Sequence, residues 1–258
     1  MSTEYNTEEL AAIKEFLYKV ADDQLIIGHR NSEWTGLGPI LEEDIAFSSI
    51  AQDKIGQSAA IFGVLHELGE ADPDTVAFTR NGNNFHCCQL VEYPIGEYDF
   101  SLMRHFLFDH AEWHRFNMLA ESTFEPIAKL ARKFRGEIKY HIMHADVWVT
   151  KLGSATEESH NRMQNTLNEC FNLALGIFEP GDNDALLAEK GIFIGEKALQ
   201  ERWLESVSAI IEKAGLKLPE KSTWVPVYGG RKGQHSAHLQ PLLDEMTEVF
   251  QIDPSAEW

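Results

Sequence analysis

PILEEDIAFSSIAQDKIGQSAAIFGVLHEL, residues 39–68, decides the fold class. No proline follows Pro39, and the glycines are isolated. Apolar residues recur at helical spacing, with Ile40, Phe47, Ala51, Ile55 and Phe62 on one face. The pattern predicts one long helix. Asp44 falls inside that apolar stripe, while Glu42, Glu43 and Asp53 fall off it. A carboxylate on a buried face must be paired, hydrogen-bonded or metal-bound, because burying it alone carries a large free-energy penalty.

Upstream, Asn6 and Glu9 read as a capping box that opens a helix to about Val20. A short helix over Asp22–Asn31 is predicted next. Downstream, Ala71-Asp72-Pro73-Asp74 breaks the chain, and residues 75–88, with the turn cluster Asn81-Gly82-Asn83-Asn84, read as a long loop. Further long helices are predicted at Asp99–Glu121, Phe124–Leu152 and Ala155–Phe178. Shorter ones are expected near Glu196–Ala214 and His235–Phe250. Ile192-Phe193-Ile194, between two glycines, is one of few strand candidates. The class is all-α: long antiparallel helices in a single domain over residues 1–258.

Each long helix has a stripe, and three of the stripes hold polar residues. In the helix from Asp99, Leu102, Phe106, Trp113, Phe116 and Ala120 enclose Asp109. Its i+3 neighbour is Glu112, His110 lies off the face, and His105 and His114 flank it. In the helix from Phe124, Phe134, Ile138, Ala145, Trp148 and Leu152 enclose His141, with Glu137 one turn earlier and His144 nearby. The helix from Ala155 offers Met163, Leu167, Cys170, Phe171, Ala174 and Phe178, with no carboxylate among them. Its Glu157-x-x-His160 sits at the N-terminus, where the helix dipole favours Glu.

A di-iron carboxylate bundle needs one Glu from each of two helices and a Glu-x-x-His pair from each of the others. The candidate cluster Asp44, Asp109, Glu112, Glu137 and His141 falls short of that set. The expectation is a ferritin-like long-helix bundle with extra N- and C-terminal helices. It would hold no catalytic residues, metal ligands or cofactor of its own, and its inward polar groups would satisfy one another. The alternative is a di-metal carboxylate oxygenase or oxidase in its own right.

Composition narrows the partners. The chain has 258 residues, 43% hydrophobic, and a formal net charge of -19. A surface this acidic repels nucleic acid and anionic membranes. No apolar run reaches membrane-spanning length. The N-terminus lacks the basic and apolar regions of a signal peptide. The cysteines, Cys87, Cys88 and Cys170, form no C-x-x-C pair, which predicts a reducing cytoplasm. His86-Cys87-Cys88 lacks a second pair for zinc and reads as ordinary loop. Gly229-Gly230-Arg231-Lys232-Gly233 is a basic turn without P-loop spacing, a connector or docking loop.

Several stretches together resemble the phenylacetate-catabolism family. They are Leu25-Ile26-Ile27-Gly28-His29-Arg30-Asn31-Ser32-Glu33-Trp34, Leu41-Glu42-Glu43-Asp44-Ile45-Ala46 and Asp53-Lys54-Ile55-Gly56-Gln57. Asp74-Thr75-Val76-Ala77-Phe78-Thr79-Arg80, Glu137-Ile138-Lys139-Tyr140-His141 and Gly229–His235 with His238-Leu239 extend the match over nearly the whole chain. The resemblance implies a ferritin-like, non-catalytic structural subunit of a multicomponent phenylacetyl-CoA 1,2-epoxidase. It places iron in a related catalytic subunit and electron supply from NADPH in a reductase subunit. The expected partners are those subunits, with self-association of the isolated chain left open. Phe108, off its helix stripe, and Trp34, in a glycine-rich connector, are the expected interface aromatics.

Overall fold

The computed structural model describes residues 5–253. Its helices are α1 (Thr7–Ser32), α2 (Leu41–Glu67), α3 (Pro73–Phe78), α4 (Gln89–Glu92), α5 (Tyr98–Leu119), α6 (Glu125–Ala155), α7 (Glu157–Leu175), α8 (Asp184–Glu189), α9 (Glu196–Lys213) and α10 (Leu239–Ile252). No strand occurs among the described residues. Ile192 and Phe193 are buried without a ladder, and the Phe193 ring packs 4.9 Å from Phe16. Their apolar character serves packing rather than pairing.

The capping box forms as expected: the Asn6 side chain accepts from the Glu9 backbone, and the Glu9 carboxylate accepts from the Asn6 backbone. The helix it opens does not stop at Val20. Asp22, Asp23 and Gln24 look like a polar break, yet all are buried in the middle of one continuous α1. Each has a partner: Arg80 for Asp22, Arg231 for Asp23 and Glu112 for Gln24. Tertiary pairing overrides the local signal here.

Cross-helix contacts give the topology. Lys14 meets Glu70 and Ser58 donates to the Ala21 carbonyl, so α1 and α2 run antiparallel. After a long crossover through α3 and α4, Tyr98 meets Glu43 and Asp109 meets Lys54, so α5 runs parallel to α2. α6 then returns: Asp146 meets His110, and the Phe134 ring lies edge-on to Phe116. An up-down-down-up order with one long crossover is the ferritin-like arrangement. Its core helices are α1, α2, α5 and α6. α7 packs outside against α5 and α6, and α9 is pinned to α5 where the Trp203 indole donates to the Leu107 carbonyl at 2.8 Å.

Two corrections follow. The carboxylate-free helix α7 is not one of the four core helices, so its empty face does not bear on the bundle centre. α2 is also rotated from the expected register. Phe47, Ala51 and Phe62 face inward as predicted, but Ile40 is exposed, and Glu43, Lys54, Gln57 and Ser58 are buried. Polar side chains paired across the bundle occupy places that a hydrophobicity pattern assigns to solvent.

Candidate functional site

The centre of the bundle is a buried chain of ionic and polar groups. Lys54 of α2 and Asp109 of α5 form a fully buried ion pair. His105 Nδ1 lies 2.5 Å from the other Asp109 oxygen, poorly aligned for a hydrogen bond. From α6, His141 places Nδ1 3.4 Å from Asp109 and Nε2 3.1 Å from Asp53. Burial works against charge on Asp109, but Lys54 and then His105 hold its carboxyl well below the usual range. Burial presses His105 down to about 4.

Toward the start of α2, Glu43 accepts from His144 at 2.8 Å and Tyr98 at 2.5 Å. On the other side of Lys54, Glu112 accepts from Gln24 and pairs with Arg115, which reaches Glu196, which also binds Lys19. Burial pushes the Glu112 carboxyl up. Burial opposes charge on Glu196 as well, but Arg115 and Lys19 bring its carboxyl down to about 2.

Of the sequence candidates, Asp109 and His141 meet at the centre, and Glu112 lies one turn away among its own partners. Glu137 is half-buried and accepts from Gln57 at 2.9 Å. Asp44 is apart: half-buried at the start of α2, it accepts from the Gly36 backbone at 2.7 Å. The rotation of α2 gives its expected inward place to Glu43. Phe108 and Trp34 are buried too, so neither is an interface aromatic. Phe108 lies 5.0 Å beneath the Lys54 ammonium, and Trp34 packs between Phe47 and Tyr98. Arg231 of the basic turn is drawn inward onto Asp23, which makes the turn a buried connector.

This donor set does not fit a di-iron centre. Asp109 is the one fully buried carboxylate beside His105 and His141, and the Lys54 ammonium already occupies it. Among the described residues, the group whose ligand atoms all lie within 4.8 Å of one another is elsewhere, at Cys87, Glu92 and His235. What the central arrangement does is hold charge in balance inside an apolar core, where an unpaired carboxylate would be costly.

The whole sequence, residues 1–258, matches the family described as phenylacetic acid catabolic protein. The chain belongs to that family. A relative, the C subunit of the 1,2-phenylacetyl-CoA epoxidase of Escherichia coli (strain K12), is 32% identical over 246 residues, which cover 94% of this chain and 98% of the relative. In this family member, Lys54 and Glu43 are the central residues that face reading missed. Lys54 stands three residues after buried Ala51, but a lysine carries no hydrophobic signal that would place it inward.

Proposed function

We propose that this chain is the C subunit of a phenylacetyl-CoA 1,2-epoxidase in aerobic phenylacetate catabolism, a cytoplasmic structural partner of a di-iron catalytic subunit. Similarity along almost the full length of both chains supports the subunit assignment. The non-catalytic part rests on one observation: the ammonium of Lys54, not a metal-ligand set, neutralises Asp109. Iron and NADPH chemistry then belong to other subunits.

A surface suited to that role is present. Tyr140, Met143 and Val147 form an exposed apolar line on α6. Leu37, Ile40, Leu41 and Ile45 are exposed at the start of α2. The Glu43–His144 hydrogen bond ties the start of α2 to the helix that carries the first group. Neighbouring apolar side chains left in solvent mark an interaction face.

The test is reconstitution. Phenylacetyl-CoA epoxidation is measured with NADPH, reductase and catalytic subunit, with and without this chain, alongside iron analysis of this chain alone. The expected result is turnover only with both subunits and well under one iron per chain here. Equal turnover without this chain removes the structural role. Turnover by this chain and reductase alone makes it the oxygenase.

A further inference from the structure

Two segments distant in sequence converge outside the bundle centre, residues 87–92 and the stretch that holds His235. Cys87 precedes α4, Glu92 ends it, and His235 lies in the segment before α10. Cys87 and Glu92 are fully buried, and the His235 side chain nearly so. Their approach is tight: a Cβ on Gly230 would come within 2.3 Å of the Cys87 carbonyl oxygen.

Two arrangements satisfy these contacts, a second proton on the His235 ring or a metal ion in its place. His235 Nε2 lies 3.0 Å from the Phe85 carbonyl oxygen, which can only accept, so Nε2 carries the hydrogen. In the neutral ring, Nδ1 is then a bare lone pair. It faces Glu92 Oε1 at 2.7 Å. Two acceptors at that distance must share a proton or a metal ion. Cys87 Sγ approaches the same point, 3.8 Å from Oε1 and 3.9 Å from Nδ1. The Cys87 thiol donates to Glu92 Oε1, and without its proton the sulfur is a third ligand atom at the point that a metal would occupy. The surroundings are those of a ligand shell. An imidazole that binds metal through one nitrogen typically donates from the other to a carbonyl or carboxylate, as Nε2 does. The second Glu92 oxygen is held by the Ser236 backbone N–H at 2.7 Å.

We propose that Cys87, Glu92 and His235 bind one zinc ion, with a water molecule as the fourth ligand, and that the ion fastens the C-terminal segment to α4. The ligand types favour zinc: thiolate, imidazole and carboxylate are its usual donors. Zn–S of ~2.3 Å and Zn–N or Zn–O of ~2.0–2.2 Å put tetrahedral ligand atoms roughly 3.3–3.6 Å apart. The two sulfur distances are near that spacing already, and the Nδ1–Oε1 pair must open by about half an ångström to meet it. Burial and then Glu92 push the Cys87 thiol well up, so zinc binding must release its proton to solvent. Thiolate, carboxylate and zinc then sum to zero charge in a buried site.

The experiment uses the full chain after chelator treatment and dialysis. Zinc sulfate is titrated against a chromophoric chelator, and cobalt(II) chloride is added in a parallel sample. The expected result is about one zinc per chain and a near-ultraviolet thiolate-to-cobalt absorption band. Losing a supporting group beside a metal costs about 10–100-fold in affinity. Cys87→Ser and His235→Gln are therefore expected to weaken zinc at least roughly a hundredfold, and Cys87→Ser to abolish the band. Cys170→Ser, outside the site, keeps both. Absence of the cobalt–thiolate band in the unaltered chain overturns the proposal, and this measurement stands even if the variants fail to fold. Unchanged zinc affinity in folded Cys87→Ser and His235→Gln overturns it too.

Discussion

Lys54 and Asp109 sit where neither residue is stable without the other. Removing one partner of a buried pair leaves a charge that the interior cannot solvate, a loss of about 3–5 kcal/mol. Lys54→Met is expected to cost that much in urea unfolding. Lys54→Met with Asp109→Leu removes both charges, and the double variant should recover much of the loss. If the double variant is no more stable than the single, the two residues are not coupled. Asp44→Ala is the contrast. It loses one hydrogen bond to an exposed loop, about 0.5–1.5 kcal/mol. Acid should act on His105 of this network and on half-buried His114 beside Ser206. Burial lowers both His105 and His114 to about 4 from an ordinary 6.5. Between those values the unfolded chain binds protons that the folded chain refuses, so stability falls as pH drops from about 6.5 to 4. Glu196, depressed to about 2 from 4.5, extends the loss below pH 4.5. Melting temperature measured from pH 7 to 4 is expected to fall steadily, and a flat profile would contradict the lowered proton affinity of these histidines.

Helix contacts depend on residues that say little by themselves. At Gly28, an added Cβ would lie 2.8 Å from Ile55 Cγ1 on α2. The helices approach closely because glycine leaves room. Gly28→Ala has a helix-propensity gain of about 1 kcal/mol working for it, but overpacking a tight contact costs about 1–3 kcal/mol. Net destabilisation is expected in urea melts, and a more stable variant would mean that α1 and α2 separate easily. Long helices, their caps and the all-α class were legible because periodicity and breakers act locally. The continuity of α1 was not, because Asp22, Asp23 and Gln24 find their partners on Arg80, Arg231 and Glu112, far along the chain. The face of α2 was misread for the same reason. Lys54 counts as a surface residue until Asp109 is known to lie opposite. Asp109 and His141 were found because each stands alone within an otherwise apolar stripe. The Cys87–Glu92–His235 group has no spacing signal, since two loops and a short helix bring it together.

At the scale of the molecule, the charged groups lie at the bundle centre and a set of apolar side chains lies on its outside. Charge inside the bundle is held in buried pairs, while Tyr140, Met143 and Val147 stay in solvent on the outer side of the helix that carries His141. A stable hetero-complex commonly covers more than ~2,000 Å², so the neighbouring residues at the start of α2 are needed as well. Met143→Glu places a charge at the middle of this face without touching the core. It is expected to weaken co-purification with the di-iron subunit at least about tenfold, a loss of about 1.4 kcal/mol or more. Its own melting temperature should change little, because the side chain is already 56% exposed. Glu201→Lys, on the exposed side of α9, serves as the control and should bind normally. The comparison separates two causes of lost epoxidation. If Met143→Glu folds and still binds, the partner docks elsewhere. If it folds, fails to bind and abolishes turnover in the reconstituted system, then support of the catalytic subunit runs through the face formed by α6 and the start of α2.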